Sequence, residues 1–462
     1  MRLRCVAVGL TVLLGACTNS DAPPVGTPSP EPEPERPNVL LIVTDDMRVD
    51  GLQAMPSTVE WLMDGGRTYT NAFATTPLCC PSRASIFTGL YAHNHGVLKN
   101  RDSHDLDTET TIQAHLQKAG YRTAISGKYL NSWSVAEDPP HFDRWASYSG
   151  RYYGKPFNVN GRAIPTDDYS TYHIGNRALQ FLRGFERDDD DPWFLYVAVV
   201  APHTPFTIPS QYRGADVPIM GRRILNLLDP VVRERNFADK PKIEGRDLIE
   251  GREFALERPR QLQRKQWRML LPVDDIMLKL RARLRKLGEE KDTLVIFTSD
   301  QGLLQGEHGL FAKRLPYSES VQVPMLLRWP GHIDPGSDDR LVANIDIAPT
   351  IAEQAGIDIQ MDGRSLLGTD SRDELFLEQL DNWRVGLPDW RSIRTAEYQY
   401  VEYYARDGRF MGREYYDLVA DPFQLTNLFG DADRVNDPDG NEHALRIAAY
   451  RDCALDGCFD AP

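Results

Sequence analysis

The sequence predicts an α/β fold, a large and mostly parallel sheet sandwiched by helices, followed by a small antiparallel-sheet subdomain at the C-terminus. Three observations predict it. Short apolar runs recur at residues 38–43, 122–125, 193–200 and 293–298, and apolarity that is continuous rather than alternating means that both faces of a sheet are covered. Longer amphipathic stretches separate these runs, which is the pattern of parallel strands joined by helices. With 462 residues and 41% hydrophobic content, the chain can also bury a large core. The formal net charge of -14 argues against nucleic acid as a partner. It leaves room for a small anionic substrate, because a few convergent cations decide the local potential.

Taken in order, Met1-Arg2-Leu3-Arg4 and the apolar residues 5–14 read as an export signal too short to span a bilayer. Its end, Leu14-Gly15-Ala16-Cys17, resembles a bacterial lipobox. Lipidated Cys17 would then begin a mature lipoprotein anchored to the membrane at the cell surface or facing the periplasm. Residues 18–36 are rich in Pro and Glu and predict a disordered tether. The main domain is expected over 37–366. Its first strand is 38–43, and a helix at 112–119 leads through Gly120 to the strand at 122–125. Residues 211–258 are charged and weakly periodic, reading as a surface insertion. The long amphipathic stretch 259–287 is helical, and Pro272 should kink or divide it. Beyond Asp362-Gly363-Arg364 the pattern changes. Aromatic-rich runs at 398–404 and 414–418 predict a small antiparallel sheet, and 441–452 a final helix, within a subdomain over 367–462.

The most informative stretch is Pro77-Leu78-Cys79-Cys80-Pro81-Ser82-Arg83-Ala84-Ser85-Ile86-Phe87-Thr88-Gly89. Pro81 suits the first helical position, where its missing N–H costs nothing. Cys79 would then lie at a helix's positive end, which favours an anion, with the fixed charge of Arg83 close by. This stretch resembles the signature of the type I sulfatases, Cys-x-Pro-x-Arg followed by Ala-Ser-x-x-Thr-Gly, at every fixed position. The resemblance implies an alkaline-phosphatase-like fold and a sulfuric ester hydrolase. It also implies that a separate formylglycine-generating enzyme oxidises Cys79 to Cα-formylglycine. Of the remaining cysteines, Cys5 leaves with the signal and Cys80 belongs to the signature. Cys453 and Cys458 read as a small disulfide loop in an exported protein, since their spacing without histidines is poor for zinc.

In an open α/β sheet, ligands bind beyond the carboxyl ends of the strands. Each of the four runs ends in polar groups: Asp45 and Asp46, then Lys128, then His203, then Asp300 and Gln301. Asp45, Asp46 and Asp300 make a hard oxygen site suited to Ca²⁺ or Mg²⁺. The sulfatase resemblance assigns the same three, together with the modified side chain of Cys79, to the metal, and puts an Asn where Gln301 stands. Gln301 offers the same amide oxygen on a stem one methylene longer. By the same resemblance Lys128 and Lys313 hold the sulfate or its leaving oxygen, and His203 lies beside the leaving group. Many arylsulfatases carry a histidine where Leu130 stands. The segment Lys128-Tyr129-Leu130-Asn131 looks instead like the glucosamine-6-sulfatase branch, which points to sulfated amino sugars and glycosaminoglycan degradation. His308 is a candidate substrate contact or turn cap. His93 and His95 read as structural, and Asp274 and Asp275 as solvated or core-edge groups on the long helix.

The implied chemistry is attack on sulfur by a hydroxyl of hydrated formylglycine oriented by Arg83, with a divalent cation, Lys128 and Lys313 stabilising the sulfuryl oxygens. His203 or a lysine protonates the leaving alcohol. Two other readings stand beside it. A phosphonate or phosphate ester hydrolase would use the same fold, cation and formylglycine. A lipoprotein that binds sulfated glycans without cleaving them would follow if Cys79 stays a thiol.

Overall fold

Ten strands form the main sheet, and the computed structural model describes it within residues 36–148, 150–185, 191–218, 239–241 and 257–459. The export signal, Cys17 and the tether up to residue 35 lie outside the described residues, as does most of the 211–258 insertion. In chain order the strands are β1 (Asn38–Thr44), β2 (Arg67–Phe73), β3 (Arg122–Gly127), β4 (Arg144–Ser147), β5 (Phe157–Val159), β6 (Arg162–Ile164), β7 (Trp193–Ala198) and β8 (Thr293–Ser299). A two-stranded hairpin, β9 (Leu304–Gln305) and β10 (Phe311–Ala312), stands apart, and β11 (Met325–Arg328) and β12 (Gly336–Ala343) complete the sheet. The order across it is β12-β2-β11-β8-β1-β7-β3-β4-β5-β6. The central strands β8, β1, β7, β3 and β4 run parallel to one another. Antiparallel β11 bridges β8 and β2, and the antiparallel hairpin β5–β6 closes the far edge.

The helices follow from which face each apolar stripe must cover. They are α1 (Cys79–Thr88), α2 (Ile112–Lys118), α3 (Ser170–Phe185), α4 (Glu257–Leu287), α5 (Ile347–Gln354) and, at the end of the chain, α6 (Gly440–Arg451). Val39, Leu41 and Val43 of β1 point into one core with Phe87, Leu116 and Ile351. Leu40 and Ile42 point into the other with Ile174, Leu182 and Met277. One strand thus feeds two cores, which is why it reads as continuously apolar.

Helix α4 is continuous through Pro272, so the proline does not divide it. A proline removes one N–H from the helix, and here the flanking Leu270, Val273 and Met277 are all buried, so packing holds the helix across the lost bond. Asp274 and Asp275 on the same helix are core-edge groups. Asp274 accepts the backbone N–H of Ser57 at 3.0 Å and of Thr58 at 2.7 Å, and Asp275 accepts the hydroxyls of Tyr172 and Tyr212.

The small C-terminal sheet is an antiparallel meander of β13 (Leu375–Gln379), β14 (Asp389–Arg394), β15 (Tyr398–Tyr404) and β16 (Phe410–Asp417). Two of its strands had no sequence signal strong enough to place them. Helix α6 contributes Ile447 and Tyr450 to its core, and Cys453 and Cys458 are joined by a disulfide. The described residues from Arg36 onward form one compact unit. No helix among the described residues is long and apolar enough to cross a membrane.

Candidate active site

The registers of the central strands bring four chain segments to one edge of the sheet. Thr44 pairs with Ser299, Val43 with Ala198, and Gly127 with Ala198, so residues 45–46, 128, 199–203 and 300–301 leave the strands side by side. Backbone bonds lock the exits: Asp300 N–H donates to Thr44, Asp45 N–H to Ala201 and Lys128 N–H to Ala198. Gly127 sits at φ +117°, and a Cβ there would lie 1.9 Å from the Ala198 carbonyl oxygen, so the turn into Lys128 requires glycine.

Helix α1 delivers the sulfur. It begins at Cys79, with Leu78 as its extended N-cap, two residues earlier than the position of Pro81 suggested. Pro81 is therefore the third helical residue, still among those whose N–H has no acceptor within the helix. All ten residues of the helix are buried. Its end is set by Gly89 at φ +70°, where a Cβ would meet the Met361 sulfur at 2.5 Å.

Around Cys79 the charges are dense. Lys313 Nζ donates to Cys79 Sγ at 2.8 Å and to Asp46 Oδ1 at 2.5 Å. Gln301 Nε2 donates to Asp46 Oδ1 and, at 3.4 Å, to the same sulfur. The Cys79 thiol reaches Asp45 Oδ1 at 3.5 Å, and Lys128 Nζ pairs with Asp45 Oδ2 at 2.5 Å. His203 Nε2 lies 3.6 Å from Asp46 Oδ2, while its Nδ1 faces the Thr204 carbonyl. Arg83 is fully buried: its Nε donates to Asp300 Oδ2 at 2.9 Å, its Nη2 lies 3.4 Å from Asp45 Oδ2 and its Nη1 donates to the Tyr196 hydroxyl at 3.0 Å.

These neighbours set the protonation states. Burial alone would raise the pKa of Asp45, but Lys128, His203, Arg83 and Lys313 hold it well below the usual carboxylate range. Asp300 goes the other way, because burial and the charge of Asp45 outweigh Arg83 and Lys128. Burial works against a charged His203, yet Asp45, a hydrogen bond with Cys79 and Asp46 push it up to about 9. The two cysteines differ: burial pushes the Cys80 thiol up to about 12, and its sulfur faces only the Asn131 carbonyl.

A hard divalent cation fits the donor set. Asp45, Asp46, Cys79 and His203 offer ligand atoms that all lie within 4.8 Å of one another. Gln301 Oε1 is a buried amide oxygen with no hydrogen-bond donor among the described residues, the kind of group a cation would satisfy. Asp300 is outside that 4.8 Å group, its carboxylate taken by Arg83 and by the Asp46 N–H.

His308 is not brought to the cluster. Its ring is buried and stacked on Tyr317, 3.9 Å between centroids. Its backbone at φ +54° lies within a turn. His93 bonds Glu378 and His95 bonds Ser85, both away from the sulfur. A cavity of about 280 Å³ opens beside the cluster, lined by Asp46, His203, Thr204, Phe206, Leu303 and Lys313. A larger cleft of about 700 Å³, lined in part by Arg48, Leu52, Met63 and Glu319, carries no residue of the cluster.

Several supporting groups escaped the sequence. Tyr196 lies inside an apolar run and read as core. Ser82 donates to the Asp300 carbonyl and accepts from Asn344 Nδ2, which lies 262 residues away in the chain. Nothing local marks such a partner.

Comparison with known proteins follows the same lines. The family model described as Sulfatase matches residues 37–357, and that described as N-sulphoglucosamine sulphohydrolase, C-terminal, matches 306–437. Human N-acetylglucosamine-6-sulfatase is 30% identical over 492 residues, covering 92% of this chain and 85% of that protein. A solved structure in complex with its substrate, D-glucosamine-2-N,6-O-disulfate, superposes with a TM-score of 0.76 at 24% identity, covering 92% of this chain and 98% of that one. The phosphonate monoester hydrolase of Agrobacterium radiobacter superposes with a TM-score of 0.66 at 24% identity, covering 90% and 96%. At these identities the two structures establish a shared fold.

Proposed function

The chain belongs to the sulfatase family and is an enzyme of that class, and from that premise we propose that it removes sulfate from a sulfated glucosamine of the N-acetylglucosamine-6-sulfate type. The observation that carries the proposal is the convergence of three carboxylates, Arg83, two lysines and His203 around one buried sulfur. The likeness to the human glucosamine sulfatase supports the choice of sugar.

Asp45, Asp46, Gln301 and the side chain at position 79 would hold a Ca²⁺ or Mg²⁺ ion, with Asp300 joining them if its carboxylate is shared with Arg83; the ion would supply Lewis-acid charge, and the hydrated formylglycine derived from Cys79 would supply the nucleophile. Arg83, locked between Asp300 and Asp45, orients the side chain at position 79. Lys128 and Lys313 bind the sulfate oxygens and offset charge that builds on them. His203, whose pKa its carboxylate neighbours push up, is the group placed to give its Nε2 proton to the departing sugar oxygen. The catalytic domain is assigned to 37–366 and the subdomain to 367–462. Export and lipidation at Cys17 would place both at a membrane surface, where Cys17→Ala should release the protein from the membrane fraction.

The deciding experiment is the mass of the peptide containing Cys79, from protein made with its maturation enzyme, alongside hydrolysis of N-acetylglucosamine-6-sulfate with and without chelator. An aldehyde mass with chelator-sensitive turnover supports the proposal. A thiol without turnover leaves a protein that binds sulfated glycans and does not cleave them. The fold shared with the phosphonate monoester hydrolase makes a phosphonate monoester the competing substrate, and a higher kcat/KM for it would replace sulfate as the group transferred.

A further inference from the structure

We propose that Arg314 is a specificity residue whose guanidinium receives a second anionic substituent, a sulfate or a carboxylate, on the same sugar substrate. The inference rests on the sulfatase reading of the neighbouring cluster.

Arg314 follows Lys313, whose ammonium touches the Cys79 sulfur. Its backbone is at φ +80°, a left-handed conformation that glycine adopts without strain and an arginine does not. The surroundings enforce it. Trp390 Nε1 donates to the Arg314 carbonyl at 2.8 Å and Asn382 Nδ2 donates to it at 3.2 Å, and both of these side chains are wholly buried. A cradle built from the C-terminal subdomain thus holds an arginine in a conformation better suited to glycine.

The side chain itself is half-buried. Its one polar contact among the described residues is from Nη1 to the neutral Asn382 Oδ1 at a long 3.4 Å. No carboxylate of the described residues pairs with it, in contrast to Arg83 and Lys128 beside it. Burial pushes Arg314 down while charge at Cys79 acts in the opposite sense. A fixed, planar fork at the rim of the cluster, without a counter-ion, fits an anion carried in by the substrate.

The test measures kcat/KM of the mature enzyme on three substrates. These are N-acetylglucosamine-6-sulfate, glucosamine-2-N,6-O-disulfate, and N-acetylglucosamine-6-sulfate linked to a uronic acid. In Arg314→Gln, the ratio of one doubly anionic substrate to the singly sulfated one should fall by about tenfold or more. The substrate affected identifies the second anion. Arg314→Lys should keep part of the ratio, and Arg314→Gly should lose it while melting no lower than wild type. Unchanged ratios, or an equal loss on all three substrates, would overturn the proposal. Should the wild-type enzyme turn over no sulfate ester, the sulfatase reading fails by itself, and affinity of the Cys79 thiol form for the same sugars decides the role of Arg314. A wild-type preference for two anions that Arg314→Gln removes supports it, and equal affinities overturn it.

Discussion

Arg83 has no contact with water and holds two carboxylates from different strands. Replacing it with methionine strands both charges, so Arg83→Met should lower unfolding free energy by about 3 kcal/mol and kcat by about 10²–10³-fold. Urea melts and steady-state rates read the two losses separately. Arg83→Lys should recover much of the stability and little of the rate, because an ammonium cannot span both partners at the fork's geometry. Gln301 sits beside the cation site, with its amide nitrogen on Asp46 and the Cys79 sulfur and its oxygen open to a cation. Gln301→Leu keeps the volume and deletes the buried amide oxygen, so calcium titration followed by melting temperature should show affinity about 10-fold weaker or worse. Cys79, Arg83, Asp45, Asp46 and Asp300 were legible in the sequence because a spaced signature or the end of an apolar run marks them. Tyr196 and Asn344 were not, since a tyrosine in a strand is ordinarily core and a partner 262 residues distant leaves no local trace. His308 shows a placement that local spacing does not reveal, its ring stacked on Tyr317.

At the scale of elements, the short helix Pro56–Thr58 is capped from another part of the chain. The N–H groups of Ser57 and Thr58 point to Asp274 on α4 rather than to a local side chain. Asp274→Ala should therefore cost about 1–2 kcal/mol, seen as a lower urea midpoint with an unchanged slope. The exit of β3 is the stiffest joint of the site. Gly127→Ala forces a Cβ against the Ala198 carbonyl in a left-handed backbone, and should destabilise by about 3 kcal/mol while displacing Lys128. Strands β1, β7 and β8 could be placed from sequence because both faces are buried, giving unbroken apolar runs. Strands β2 and β12 could not. They lie at one end of the sheet, β12 on its edge and β2 beside it, with exposed positions interleaved, and partly exposed strands carry no continuous signal. The persistence of α4 through Pro272 teaches the same lesson, that packing outvotes local propensity where the flanking side chains are buried.

Across the whole molecule, the His93–Glu378 pair ties the segment after α1 to the C-terminal sheet, with Nδ1 2.8 Å from the carboxylate. Burial works against a charged His93, but the charge and hydrogen bond of Glu378 win and its pKa is raised. Glu378 is lowered, burial again being outweighed, this time by His93. The contribution of His93 is full below its unfolded value and fades as pH rises through the raised folded one, whereas that of Glu378 fades as pH falls through its lowered one. The melting-temperature difference between wild type and His93→Gln should therefore be largest between these limits, near pH 5–6, and shrink above neutrality. The parallel arrangement of strands carries one more implication, which concerns time rather than energy. In the folded chain Cys79 has no accessible surface, and the groups that enclose its sulfur, Gln301 and Lys313, follow it by 222 and 234 residues. At roughly 5–20 residues per second, synthesis leaves the cysteine uncovered for about 10–50 s. Any enzyme that modifies it must act within that interval or on a chain kept unfolded for export, and a chain that folds first keeps its thiol.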